Sequence, residues 1–286
     1  MLTATAREYS QQSWPNPRGP MTDWRSYDTI AEAYERIWAP RFEMVARHLL
    51  ALAPPVEGAR LLDLGTGTGA VAVALGDKPK RQRAIVGCDL SRHMLLQARC
   101  RVPQLRLLVA DAISLPFPRG SFDLVTANCV LSHVPDYRRA FAEVLRVLAR
   151  PGAFAMSSWG PSADPYTVAW SDLLEDAVGD GTIQRTVEQV APSESHLSSP
   201  ENVTAALVDA GFPAVRVEVM GVAHDCSVEE YLADRELSSG GRFGRHVLGE
   251  TAWRAFVERA EAEFRRRFGD RISYERPLVL GVGTLC

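Results

Sequence analysis

Lysine is nearly missing from this sequence. Of 32 Lys and Arg residues in the 286-residue chain, two are lysines, Lys78 and Lys80, and 30 are arginines. Both lysines fall in the polar stretch GDKPKRQR, which reads as a solvated turn. Chemistry that needs a lysine elsewhere is thereby excluded: a pyridoxal Schiff base, a P-loop with its terminal lysine, a kinase strand lysine. Cysteine is also sparse. Cys88, Cys100, Cys129, Cys226 and Cys286 form no CxxC and no zinc spacing, so buried free thiols are expected. No apolar run approaches the roughly 18 residues of a membrane span. Residues 1–20 are polar and hold no apolar targeting core, so a cytoplasmic globular protein is expected. A net charge of -3 gives no reason to expect nucleic-acid binding.

Hydrophobic residues make up 46% of the chain, enough for a full core in one or two domains. Residues 1–22 read as a flexible arm, and 23–55 as a helical cap in which Ile30, Ala33, Tyr34, Ile37 and Trp38 recur at helical spacing. The pattern then changes. ARLLDLG, AIVGCDLS, LRLLVADA, FDLVTANCV and GAFAMSSW are short apolar runs separated by helical segments, the signature of a doubly wound, mostly parallel sheet over 56–160. Residues 198–223 and 275–286 supply further strands that complete that sheet. The stretches 161–197 and 224–274 read as helical insertions over it.

The chemistry concentrates at strand ends. The first strand runs into Leu64-Gly65-Thr66-Gly67-Thr68-Gly69 and then a helix, where glycines permit a tight turn and let a ligand approach backbone N–H groups. Asp63 lies just before the glycines. Asp89 ends the second strand 20 residues after Gly69, where a carboxylate accepts ribose hydroxyls. Asp111 and Ala112 follow the third strand. The dinucleotide fingerprint is GxGxxG, whereas the spacing here is GxGxG, and no tyrosine stands four residues before either lysine. That closes the short-chain dehydrogenases and disfavours other nicotinamide enzymes. Asp63, Asp89 and Asp111 each keep a plainer alternative as loop-tying or solvated carboxylates.

LLDLGTGTG, CDLS, ADAISLPF, FDLVTANCVLSHVPD and LRVLARPGAF, in that order, resemble the successive motifs of class I S-adenosylmethionine-dependent methyltransferases, closest in flavour to the quinone-methyltransferase-like group. The resemblance covers roughly 24–160, with the remainder agreeing in layout only. It implies a Rossmann-like seven-stranded sheet, S-adenosylmethionine as cofactor and S-adenosylhomocysteine as product. It implies further that Gly65, Thr66, Gly67, Thr68 and Gly69 meet the methionine part, with Asp63 orienting it. Asp89 would hold the ribose, Leu90 and Met94 the adenine, and Asp111 and Ala112 its edge. Asn128 and His133 would face the sulfonium region, and Tyr27 and Tyr34 would close over the cofactor.

His133 is the candidate base, since histidine titrates near neutrality. Aligning Pro135-Asp136 on the base-bearing segment of plant-type O-methyltransferases places Ser132 there instead, so a structural role for His133 stays open. Where metal-dependent relatives carry Asp-Asn, this chain has Asn128-Cys129, which points to metal-independent transfer. His196, His224 and His246 read as solvated or capping. Trp24, Trp38, Trp159, Tyr166, Trp170, Tyr231, Phe243 and Trp253 suit a small apolar or aromatic acceptor, or else pack the lid. Gly240, Gly241 and Gly244 read as a mobile loop, an anion nest or a flexible linker. The arginines at 265–267 read as a solvated helix face. A small-molecule methyltransferase acting at O, N or C, as monomer or homodimer, leads. A cofactor-binding protein that does not methylate and an RNA methyltransferase remain as alternatives.

Overall fold

The computed structural model describes residues 24–54, 58–76, 84–161, 164–179 and 181–286. The arm at 1–22 and the lysine-bearing turn lie outside the described residues.

Seven strands form one sheet in the order β3-β2-β1-β4-β5-β7-β6. The first five are β1 (Arg60–Leu64), β2 (Ala84–Asp89), β3 (Arg106–Val109), β4 (Phe122–Asn128) and β5 (Leu148–Trp159). They run parallel to one another. β6 (Ala214–Ser227) and β7 (Arg271–Leu285) join antiparallel at the β5 edge. β1 is buried from Leu61 to Leu64, as an apolar strand covered on both faces must be.

Helices cover both faces. On one, α5 (Tyr137–Val147) and α8 (Pro200–Ala210) bring Phe141, Val144, Val203 and Leu207 against Val125, Phe154 and Met156. On the other, α2 (Ala39–Leu52) and α3 (Ala70–Leu75) bring Val45, Leu49 and Val71 against Leu61, Leu124 and Leu280. α1 (Ala31–Ile37) and α4 (Arg92–Arg101) are tied together where Arg101 bonds Glu35 at 2.7 Å and also reaches Glu43 on α2.

A second apolar core belongs to α6 (Pro165–Val178), α7 (Thr182–Val190), α9 (Val228–Leu237) and α10 (Ser239–Phe268). Trp170, Leu174, Tyr231, Trp253, Phe256 and Phe264 fill it. Two expectations change here. β6 and β7 stay paired as far as Ser227 and Arg271, so the segment from 224 opens on strand, and helix begins at Val228. Gly240, Gly241 and Gly244 lie buried within the first part of α10, not in a loop. A Cβ on Gly244 would stand 2.6 Å from Leu174 and 2.9 Å from Trp253, so the missing side chain is what allows α10 to pack. The break in α10 falls at Gly249 (φ 74°).

The thiols also differ from expectation. All five are free, but Cys88 alone is fully buried, while Cys100 and Cys286 are exposed. The 265–267 arginines are solvated as expected, paired with Glu261, Glu263, Asp270 and Glu229. Among the described residues, no helix is long and apolar enough to cross a membrane.

Candidate functional site

The carboxyl ends of β1, β2 and β4 open on a cavity of about 420 Å³ roofed by α6, α7, α9 and the start of α10. Such an edge of a parallel sheet is where open α/β folds bind ligands, because strand-end loops and helix N-termini converge there. Tyr27, Tyr34, Gly65, Gly67, Asp89, Leu90, Met94, Asp111, Ala112, Asn128 and His133 all line it. Asp63, Thr66 and Thr68 line a small recess beside it, which shares Tyr34, Phe42, Gly65 and Asn128 with the main cavity. Gly69 lines neither. At φ 90° it is the left-handed N-cap of α3.

The glycine turn is held by its neighbours. Asp89 Oδ2 accepts from Gly67 N at 2.9 Å and Oδ1 from Ser91 N at 2.8 Å, so the carboxylate braces the loop and is not a solvated group. Two bonds leave a carboxylate further acceptor capacity. Gly65 has φ 59°, and a Cβ there would lie 2.1 Å from Val130 Cγ2, so side-chain bulk is excluded from both directions. Asp63 is buried and accepts from Thr126 Oγ1 at 2.8 Å through Oδ1, which ties β1 to β4. Its Oδ2 has no hydrogen-bond partner, and neither do the buried Thr66 and Thr68 hydroxyls. Thr66 lies close enough to steady the Asp63 charge, yet burial dominates and pushes the Asp63 carboxyl up to about 7.

The segment before α1 is pinned over the cavity. Asp28 Oδ1 accepts from Ser91 Oγ at 2.6 Å and from His93 N at 2.9 Å, at the N-terminus of α4. Arg242 of α10 donates to the carbonyls of Trp24, Arg25 and Ser26, and its guanidinium lies 4.7 Å from the Tyr27 ring centre. Tyr27 OH stands 3.2 Å from His133 Nε2. Burial, and then the Arg242 charge, push the His133 pKa down to about 4. Its imidazole is therefore neutral near pH 7.

Asn128 is less free than its place at the strand end suggests. Its amide donates to Phe42 O at 3.0 Å and its Oδ1 accepts from Ser157 Oγ at 2.8 Å. Cys129 follows with φ 55°, and burial pushes its thiol up to about 12. Among the described residues, no group of three or more His, Cys, Asp or Glu is placed to hold a metal ion.

The aromatic residues divide between two roles. Trp38 and Trp159 line the cavity, Tyr166, Tyr231, Phe243 and Trp253 pack the lid, and Trp170 does both. Trp24 rests on Phe243, with ring centres 5.0 Å apart. His196 and His246 are exposed, in line with expectation. His224 is not. It is buried, stacked on Tyr274 at 4.5 Å in the β6–β7 extension, and lines the cavity. Sequence reasoning also passed over Arg41, Arg235 and Arg276, which come from α2, α9 and β7 to the same wall. Nothing local marks them, since more than 190 positions separate Arg41 from Arg235.

A family model described as "Methyltransferase domain" matches residues 62–156. The chain is 34% identical to malonyl-[acyl-carrier protein] O-methyltransferase of Geobacter sulfurreducens, over 90% of this chain and 93% of that protein. It is 35% identical to demethylmenaquinone methyltransferase of Thermus thermophilus over 43% of this chain and 63% of that protein. The solved structure of the YcgJ protein from Bacillus subtilis superposes with a TM-score of 0.56 at 21% identity, covering 85% of this chain and 98% of that one, a likeness of fold.

Proposed function

The chain belongs to the class I S-adenosylmethionine-dependent methyltransferases, and from that premise we propose that it methylates a small acceptor with an apolar or aromatic body, at O, N or C, without a metal ion. S-adenosylmethionine is the cofactor and S-adenosylhomocysteine the product. The observation that carries the reading of the acceptor is the continuity of the cavity. One space joins Gly65, Gly67 and Asp89 at the strand ends to Trp38, Trp159 and Trp170.

The residues present fit the cofactor. Asp63 Oδ2 and the Thr66 and Thr68 hydroxyls are three buried oxygens without partners around one recess, a donor set suited to an ammonium and carboxyl group. Asp89 keeps lone pairs for two ribose hydroxyls. Leu90, Met94 and Ala112 supply apolar surface for a base, with Asp111 at its edge. Gly65 and Gly67 shape the loop against the methionine part, and Gly69 serves it through the helix cap. When bound, the cofactor supplies an electrophilic methyl group on sulfur, so binding and alignment are the protein's share of the work.

Tyr27 and Tyr34 close the cavity from above and exclude water, Tyr34 stacking on Phe42 at 5.6 Å. Asn128 sets the spacing of β4 and β5 at the transfer point. His133 is better suited to hold the Tyr27 hydroxyl than to abstract a proton, because a group titrating near 4 is a weak base at neutral pH. The Geobacter relative is named for O-methylation, which favours oxygen among the three acceptor atoms.

The test is to incubate the protein with S-adenosylmethionine labelled in its methyl group and fractionated cell extract, then identify the labelled product. A labelled small molecule supports the proposal, and label confined to RNA or absent from every fraction overturns it. Asp89→Ala should weaken S-adenosylhomocysteine binding by at least ~10-fold, the scale of a lost charged hydrogen bond. Unchanged affinity would overturn the assignment of Asp89.

A further inference from the structure

The lid side of the cavity holds positive charge that cofactor binding does not use. Asp234 takes two of the three arginines there. Arg41 Nη1 lies 2.8 Å from its Oδ1, and Arg235 Nη2 lies 2.5 Å from its Oδ2. Burial opposes the Asp234 charge, but Arg235 and Arg41 outweigh it and hold its pKa below the usual range.

Arg276 receives much less. Its Nη2 comes no nearer to Glu194 Oε1 than 3.5 Å, and its Nε–H is buried without a hydrogen-bond partner. The guanidinium lies 4.8 Å from the centre of the Trp159 ring, and Arg276 lines the cavity. Burial, and then repulsion from Arg235, push its pKa down, with Glu194 acting the other way. The remaining neighbours do not neutralise it. His224 is held at about 4 by burial and then by Arg41, so it is uncharged, and the Tyr274 hydroxyl is pushed up by burial.

Arg41 and Arg235 therefore share Asp234, while Arg276 is paired only with Glu194 at 3.5 Å, so the charge of Arg276 is the one least met. A half-buried guanidinium whose Nε–H is shut off from water without a partner is unfavourable, and an edge formed by Nε–H and one Nη is shaped for two parallel bonds to a carboxylate. The Arg276 charge is also felt at the Cys129 thiol, at the mouth of β4 beside Asn128. An anion held by Arg276 is thus near the strand ends where transfer takes place.

We propose that Arg276 binds a carboxylate of the methyl acceptor, whose apolar or aromatic body then lies along Trp159, Trp170 and Leu174. Calling the bound molecule an acceptor rests on the methyltransferase assignment, whereas the anion subsite does not. The single charge of Arg276 matches a monoanion and leaves a dianionic phosphate half compensated.

The full chain, saturated with S-adenosylhomocysteine, is titrated calorimetrically with octanoate, octanamide and octyl phosphate. Octanoate should bind at one site, at least ~10-fold more tightly than the other two, the scale expected for a charge-assisted pair. R276Q should lose that preference for octanoate over octanamide while binding S-adenosylhomocysteine like the wild type. Equal binding of octanoate and octanamide by the wild type, or a preference that survives in R276Q, overturns the proposal. Tighter binding of octyl phosphate overturns the monoanion assignment. The wild-type comparison decides even if R276Q does not fold. Failure of the wild type to bind S-adenosylhomocysteine would count against the methyltransferase assignment and leave the octanoate result standing.

Discussion

Tyr27 OH and His133 Nε2 lie 3.2 Å apart, and this contact joins the segment before α1 to the turn after β4. Both partners are half-buried, and the guanidinium of Arg242, from the lid helix α10, lies 4.7 Å from the centre of the Tyr27 ring. The cap, the strand end and the lid thus meet at one tyrosine. On the proposed function, that arrangement assigns His133 to positioning, because its neutral state at pH 7 favours hydrogen bonding over proton abstraction.

Loss of His133 should then resemble loss of Tyr27. His133→Ala and Tyr27→Phe are each expected to lower kcat/KM by about 3- to 10-fold, the scale of one buried hydrogen bond. The double variant should cost little more than either single one, because both remove the same contact. The kcat profile of the wild type should show no inflection from His133 between pH 6 and 9. A loss of ~100-fold confined to His133→Ala would instead restore it as the base. The stability effect has a definite sign. The folded-state pKa of about 4 lies below the free value of 6.5, so the neutral ring contributes fully above 6.5 and its contribution is lost as pH falls towards 4. Urea unfolding should therefore show the gap between wild type and His133→Ala narrowing from pH 7.5 to pH 4.5.

Asp63 should make cofactor binding pH-dependent. Its carboxyl titrates near 7, raised from 3.8 by burial, so the folded chain holds a proton that the unfolded chain has released across that window. The stability contribution of the protonated form is full below 3.8 and falls as pH rises through about 7. Asp63→Asn is permanently neutral and escapes this loss, so its stability relative to wild type should improve from pH 5.5 to pH 8.5. Binding should move the other way. An ammonium placed at Oδ2 favours the ionised carboxylate, so S-adenosylmethionine affinity should rise from pH 5.5 to 7.5 in the wild type. Asp63→Asn should bind at least ~10-fold more weakly at pH 8 and without that rise. Calorimetry on both proteins checks this, and parallel pH profiles would refute it.

The parts of the fold that were legible in the sequence are those where the cause is local. The apolar run of β1 followed at once by Gly65, Gly67 and Gly69 announces a strand, a turn and a helix within a dozen residues. Eleven of the residues expected around the cofactor line one cavity: Gly65, Gly67, Asp89, Leu90, Asp111, Ala112, Asn128 and His133 lie at or just past strand ends, which a parallel sheet brings to one edge, and Tyr27, Tyr34 and Met94 come from the helical elements beside them. The misreadings have non-local causes. Gly240 and Gly244 read as a loop because what they pack against, Ile183 and Leu174, lies about sixty to seventy positions away, while Gly241 gives room to the Arg235 and Glu236 backbone where α9 meets α10. His224 read as solvated because its partner Tyr274 is paired with it only across β6 and β7. Arg41, Arg235 and Arg276 converge from three elements, and their charge has meaning only once Asp234 has paired with the first two.

The glycine loop should tolerate bulk unevenly. Gly65→Ala meets Val130 at 2.1 Å in addition to its positive φ, whereas a Cβ on Gly67 finds nothing nearer than 4.0 Å. Gly67→Ala carries the left-handed backbone penalty of about 1–2 kcal/mol alone. Gly65→Ala should be less stable than Gly67→Ala by a further ~1–3 kcal/mol, the usual cost of overpacking. Val130→Ala in the Gly65→Ala background should recover part of that difference. Chemical denaturation of the four proteins tests the ordering, and equal stability of the two glycine variants would contradict it.

Gly244 provides the corresponding test in the lid. Alanine in a helix interior is ordinarily favoured over glycine by up to about 1 kcal/mol, so propensity alone predicts stabilisation by Gly244→Ala. Packing predicts the reverse, because the added methyl stands 2.6 Å from Leu174 Cδ1 and 2.9 Å from Trp253 Cζ3 in the buried lid core. Trp253 cannot retreat freely, since its Nε1–H donates to Glu236 at 2.8 Å. The overpacking cost of ~1–3 kcal/mol exceeds the propensity gain, so Gly244→Ala should be destabilising by about 1–2 kcal/mol. Leu174 also lines the cavity, so the displaced side chain should weaken binding of octanoate more than binding of S-adenosylhomocysteine. Gly244→Ala combined with Leu174→Val should regain stability. A Gly244→Ala protein as stable as wild type would mean that α10 does not pack on α6 through this glycine.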